Sequence, residues 1–285
     1  MMKKPVLLLV IGLIITAGSL FGQKGTPRLY PFSFEYNPQR TLLLACPEPD
    51  GYTRVPLGEL SKYQVWLTNI GLRNPGKNVH NWEGQIKLED SLVYGVLDIS
   101  IGTPQQKDAD LPLYLRWIYY RVNDLLDSMS VVVSLSDTIS YPRWLNGVYR
   151  LLPRGQGFNY EPGEGRIPSQ TEFYRCLELA MGQLNNKNLL FNVTPIANKD
   201  IMPGDVFIQF DPNNPDSSGH TAMIFDVCRG KTNTDVLVLA GWSGDPPHSV
   251  YLPRDVNFKH GPWMSVAELQ EHLAEFGEGR FYRFK

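Results

Sequence analysis

Pro203-Gly204-Asp205-Val206-Phe207-Ile208, followed after a polar loop by Gly219-His220-Thr221-Ala222-Met223-Ile224-Phe225-Asp226, decides the fold. Two apolar runs rich in β-branched and aromatic residues, separated by Pro, Asn, Asp and Ser, read as neighbouring strands over 205–210 and 220–228. Similar runs follow at 235–240 and 249–252, and 280–284 reads as a closing edge strand. Upstream the period changes. Leu60, Tyr63, Trp66, Leu67 and Ile70 recur at spacings of three and four, which predicts a helix with Ser61 near its start. The longest amphipathic helix is expected over 111–129, with Pro112 tolerated in its first turn. Ser169 with Glu172, and Ser265 with Glu268, have the spacing of capping boxes and each open a further helix. Shorter strands are expected at 41–45, 92–101 and 131–135, with a turn at 74–77. The stretch 141–165, rich in Pro, Gly and aromatics without a period, reads as an ordered long loop bordering a cleft. Helices come first and adjacent strands last. The fold class is therefore α+β, with N-terminal helices packed on a mainly antiparallel C-terminal sheet.

Lys3, Lys4, the apolar run 6–15 and the small residues up to Gly22 read as an export signal, with cleavage expected after Gly22. The alternative is a retained anchor, but the run falls short of the ~20 residues of a comfortable span. Residues 23–285 are then one domain, expected to be periplasmic or secreted. The formal net charge is -2 and the basic residues are scattered, which argues against a nucleic-acid partner. Cys46, Cys176 and Cys228 form no disulfide scaffold by number or spacing, although Cys46 and one of the others could pair in an oxidising compartment. No zinc-ligand spacing occurs, and no cofactor or resident metal is expected.

His220 is the sharpest candidate site residue. At the mouth of a strand it can present one ring nitrogen to a cleft while the other is held by an acceptor. Asp205 can hold the Pro-Gly-Asp turn with its own side chain. Asp226 lies six positions beyond His220, on the same side of a straight strand but about 20 Å away, too far to orient it. A metal reading would use Asp205, His220 and His248. His80, His260 and His272 read as surface residues. Cys176 falls inside its helix on the apolar face, where a core thiol is the simpler account than a nucleophile.

A histidine opening a buried strand, behind a strand that begins Pro-Gly-Asp, resembles the way papain-like and NlpC/P60-like cell-wall hydrolases present their general base. Over most of residues 23–285 the chain is also similar to an uncharacterised exported bacterial family, the domain of unknown function 4846. The resemblance rests on Tyr52, Tyr63, Trp66 and Leu67; on Val96-Leu97-Asp98-Ile99 with Gly102 and Gln105-Gln106; and on Ala109-Asp110 with Leu115-Arg116. It continues through Gly204-Asp205-Val206-Phe207-Ile208, Gly219-His220, Asp226, Leu239-Ala240 and Pro262-Trp263. The family's pattern places a cysteine just before the Ala-Asp pair. Here that position is Asp108, after an apparent insertion at Lys107. Glutamines of the following strand are replaced by Gly241 and Pro247.

The resemblance implies a hydrolase, or a degenerate one, acting on envelope peptide or glycan. His220 would be the base, and Gln105 or Gln106 would donate to a developing oxyanion. Asp108 could serve as carboxylate nucleophile or base, although a helix cap is its ordinary role. Trp144 and Trp242 would line the cleft. The alternative is a non-catalytic module in which Trp144, Trp242 and Trp263 stack on sugars or peptide side chains. Metal-assisted hydrolysis is a third choice.

Overall fold

The computed structural model of the chain describes residues 30–31, 33–34, 36–100, 107–151, 158–161, 163–210, 219–232, 234–244, 246–255 and 258–285. Residues 1–22, expected above to be an export signal, and Gln105 and Gln106 lie outside the described residues. Seven α-helices occur among them: α1 (Leu42–Ala45), α2 (Lys62–Thr68), α3 (Asp110–Val122), α4 (Tyr141–Leu145), α5 (Gln170–Gln183), α6 (Asn186–Leu189) and α7 (Val266–His272). None of the described helices is long and apolar enough to cross a membrane.

Local chemistry sets most helix starts. Ser61 Oγ accepts from Gln64 N while Gln64 Oε1 accepts from Ser61 N, and Ser265 and Glu268 form the same reciprocal pair. At α5 only half the box forms. Ser169 caps Glu172 N, but the Glu172 carboxylate instead accepts from Trp144 Nε1 at 3.0 Å and Arg175 Nη1 at 2.9 Å. Helix α3 ends at Val122 and not at Met129, because Asp124 turns the chain with a φ of 55°. The expected strand at 41–45 is instead the single turn α1, closed by Ala45 N donating to Thr41 O at 2.8 Å. Nor is 141–165 one long loop: it holds α4 and a hairpin of Tyr149–Leu151 with Phe158–Tyr160.

The main sheet has seven strands: β1 (Thr53–Arg54), β2 (Val193–Pro195), β3 (Val206–Phe210), β4 (His220–Arg229), β5 (Val236–Gly241), β6 (Met264–Ser265) and β7 (Glu278–Phe284). Their order is β6-β5-β4-β3-β7-β2, all antiparallel, and β1 pairs with the far end of β4. Strand β7 is thus an inner strand between β3 and β2, not the edge that its chain-terminal position implies. The expected strand at 249–252 leaves this sheet and pairs, as Tyr251–Pro253, with Val93–Val96.

The sheet is buried on both faces. Val206, Ile208, Met223, Phe225, Cys228, Leu237 and Leu239 pack with α2, α3 and α5. Phe207, Ala222, Ile224, Val227, Val238 and Ala240 pack with Leu269 of α7 on the other side. Membership changes parity within β4 because the register slips between Ile224 and Asp226. A bulge of this kind adds one residue and inverts the alternation beyond it. Counting six positions along a straight strand therefore misplaces Asp226. Its carboxylate turns to Arg54 Nε at 2.6 Å. The three cysteines are free and buried, so the suggested disulfide does not form.

Candidate functional site

The entrance to β4 requires glycine. Gly219 has a φ of 69°, and a Cβ there would stand 2.4 Å from Gln209 O. The next residue, His220, lies opposite Gln209 of β3. Gln209 is fully buried and its Nε2 donates to Leu273 O (2.9 Å) and Gly277 O (3.0 Å). Those two bonds tie the segment after α7 down over the strand mouth. Phe276, within that segment, stacks on the His220 ring with centroids 4.4 Å apart, and Trp242 meets the ring edge-on at 5.9 Å.

On the other side of the ring stands Asp108, at the foot of α3. It is buried and is not the helix cap: Ala109 occupies the cap position, and no side chain caps it. The carboxylate instead gathers four donors from three parts of the chain. Oδ1 accepts from Ala109 N (2.8 Å) and Asn186 Nδ2 (3.2 Å), and Oδ2 accepts from Thr221 N (2.9 Å) and His220 Nδ1 (2.7 Å). Asn186, the first residue of α6, is itself fixed by accepting from Thr221 Oγ1. An ionised carboxylate offers about four lone-pair sites, and all are engaged here. A nucleophilic Asp108 would need one of them free. The arrangement suits orientation of an imidazole. With Nδ1 donating, the neutral His220 ring carries its lone pair on Nε2, which is buried and has no hydrogen-bond partner among the described residues.

Asp108, His220, Trp242, His248, His272 and Phe276 all line one pocket of about 360 Å³. His248 is also buried. Its Nδ1 donates to Ser249 O at 3.0 Å, leaving Nε2 as an acceptor, and burial holds the ring below the usual histidine range. Gly244 sits hard against that nitrogen, since a Cβ there would come within 2.6 Å of it. His272 is on the pocket wall and not simply at the surface. His80 and His260 are half-buried elsewhere.

Trp144 lies away from the pocket. It is buried, hydrogen-bonded to Glu172 and covered by the Arg166 guanidinium 4.1 Å above its ring. Trp263 is likewise buried, with Nε1 donating to Pro47 O at 2.8 Å. Of the three tryptophans proposed to stack on a ligand, only Trp242 is placed to do so. Cys176 sits in the core of α5, where burial pushes its thiol well above the ordinary range. Asp205 holds the Pro-Gly-Asp turn by accepting from Met202 N (2.7 Å), and both its oxygens accept from Arg283 at 2.8 Å. It is not part of the site with His220 and His248, and among the described residues no three His, Cys, Asp or Glu side chains are grouped to hold a metal ion.

Thr221, Asn186, Gln209 and Phe276 complete the site without having been foreseen. Asn186 falls in the polar run Asn185-Asn186-Lys187-Asn188, where nothing local distinguishes it from a loop residue. Gln209 carried one legible signal, a polar residue inside an apolar strand.

Fold and site together define an α+β protein with a buried carboxylate–imidazole pair between a helix foot and the mouth of a central strand. The chain belongs to the family described as a domain of unknown function (4846), which matches residues 44–284. No curated protein and no solved structure matches it.

Proposed function

We propose that the protein is an exported hydrolase of envelope peptide material, in which His220 is the general base through Nε2 and Asp108 is its positioning residue. The observation that carries this reading is the 2.7 Å bond from His220 Nδ1 to a carboxylate whose other lone pairs are filled, with Nε2 left unpaired. In the reaction, Nε2 takes a proton from a water as that oxygen attacks an acyl carbon and the C–N bond breaks. The imidazolium then returns the proton to the leaving amine, and Asp108 stabilises the charged ring between the two transfers.

Acyl chemistry fits better than glycoside cleavage, which ordinarily uses two carboxyl groups free to act on the sugar. Glycan is then a bound part of the substrate, not the bond broken. In this reading the centre resembles a papain-like or NlpC/P60-like one in which Asp108 stands at the foot of the helix in the thiol's place. Export, to the periplasm or beyond, is supported by the apolar run at 6–15.

A second reading, a binding pocket without catalysis, is favoured by the enclosure of the His220 ring between Phe276 and Trp242. Turnover of peptidoglycan-derived peptides separates the two. His220→Ala is expected to reduce it by at least about 10²-fold, the usual contribution of a positioned base. Equal turnover in both proteins would remove the catalytic role.

A further inference from the structure

Two lysines stand at the mouth of the pocket that holds His220. Lys87, on the strand Ile86–Leu88, and Lys107, just before Asp108, approach the same pocket from different parts of the chain. Both are exposed, and neither side chain forms an ion pair among the described residues. The acids that line the pocket are Asp108 and Glu275. Asp108 is buried and turned toward its four donors, so the exposed charges at the rim are the two ammonium groups and Glu275. Deeper in, the Nε2 atoms of His220 and His248 are acceptors, and Lys87 adds to burial in holding His248 neutral. The pocket therefore offers cations at its rim and hydrogen-bond acceptors inside.

A neutral saccharide would leave the lysines without a role, and a cationic peptide would be repelled by them. We propose that the pocket takes a peptide with a free carboxylate, held at Lys87 and Lys107, while its N–H and O–H groups face His220 and His248. This inference rests on the peptide-hydrolase reading above and adds to it the charge of the substrate. It concerns binding alone, so it is tested where no turnover occurs.

The probes are peptidoglycan-derived peptides with free carboxylates and the same peptides converted to carboxamides. Binding to the full chain carrying His220→Ala is followed by tryptophan fluorescence and by calorimetry. The free acids are expected to bind about tenfold more tightly than the carboxamides, with an advantage that shrinks as salt is raised. Adding Lys87→Gln and Lys107→Gln, both with exposed side chains, is expected to abolish the difference while the circular dichroism spectrum is unchanged. Equal binding of acids and carboxamides would overturn the inference and leave the hydrolase reading standing. Binding of neither form would overturn both.

Discussion

Asp108→Asn is expected to lower turnover of peptidoglycan-derived peptides by about 10³–10⁴-fold while the protein stays folded. An asparagine matches the carboxylate in shape but has one acceptor oxygen where Asp108 has two. In the native site that pair of oxygens receives Ala109 N, Asn186 Nδ2, Thr221 N and His220 Nδ1. With two backbone donors and Asn186 competing for the remaining oxygen, the new amide N–H₂ faces His220. The ring then has to accept at Nδ1, which moves its proton to Nε2. The nitrogen that should take a proton now carries one. Loss of less than tenfold would show that Asp108 does not govern the tautomer of His220. Because the change keeps the side chain's shape and acts through the base, the peptide KM is expected to move far less than kcat.

The second large effect concerns stability. Arg54→Ala is expected to cost about 3–5 kcal/mol, roughly 10 °C in Tm, read as a fall in the urea midpoint. Arg54 donates to Asp226 Oδ2 at 2.6 Å and to Cys46 O, and its guanidinium lies 5.1 Å over the Trp263 ring. Asp226 is buried and already held above the usual carboxylate range by desolvation, against the lowering pull of Arg54. Removing the arginine leaves a buried carboxylate that must either stay charged without a partner or take up a proton. The cost is accordingly greatest at neutral pH. It shrinks as the pH falls through the raised pKa of Asp226, because the protonated group no longer needs the arginine's charge. Arg54→Met combined with Asp226→Leu is expected to recover most of the loss, since an apolar pair has no charge to desolvate. A loss under about 1 kcal/mol for Arg54→Ala would mean the pair behaves as a surface ion pair.

How much of this was legible in the sequence follows from the range over which each interaction acts. The capping box at Ser265 joins residues three apart, so spacing alone found it, whereas the box that spacing suggested at Ser169 forms only in half. The strands around Val206 and Met223 were marked by their own apolar runs. Strand β7 was misread as an edge because its outer neighbour, Val193–Pro195, is a three-residue strand with no signal of its own. The bulge at Phe225 leaves no mark in composition, yet it decides which face Asp226 takes.

Asp108 shows the limit most clearly. An aspartate at a helix start is locally a cap, and its actual partners lie 78 residues away at Asn186 and 113 residues away at Thr221. His220 was identifiable because glycine and a polar loop precede an apolar strand. Trp144 was misplaced for the opposite reason. An aromatic in a segment rich in Pro and Gly looks like a cleft residue until Arg166 and Glu172 are seen to enclose it.

The proposed base depends on which nitrogen of the His220 ring carries the proton. Nitrogen-resolved NMR of the histidine side chains in mildly alkaline buffer, assigned with His220→Ala, reads this directly. The expected spectrum has the His220 proton on Nδ1, shifted downfield by its bond to Asp108, with Nε2 bare, and Asp108→Asn reverses the two. A His220 ring protonated on Nε2 in the native protein, unaffected by Asp108→Asn, would contradict it.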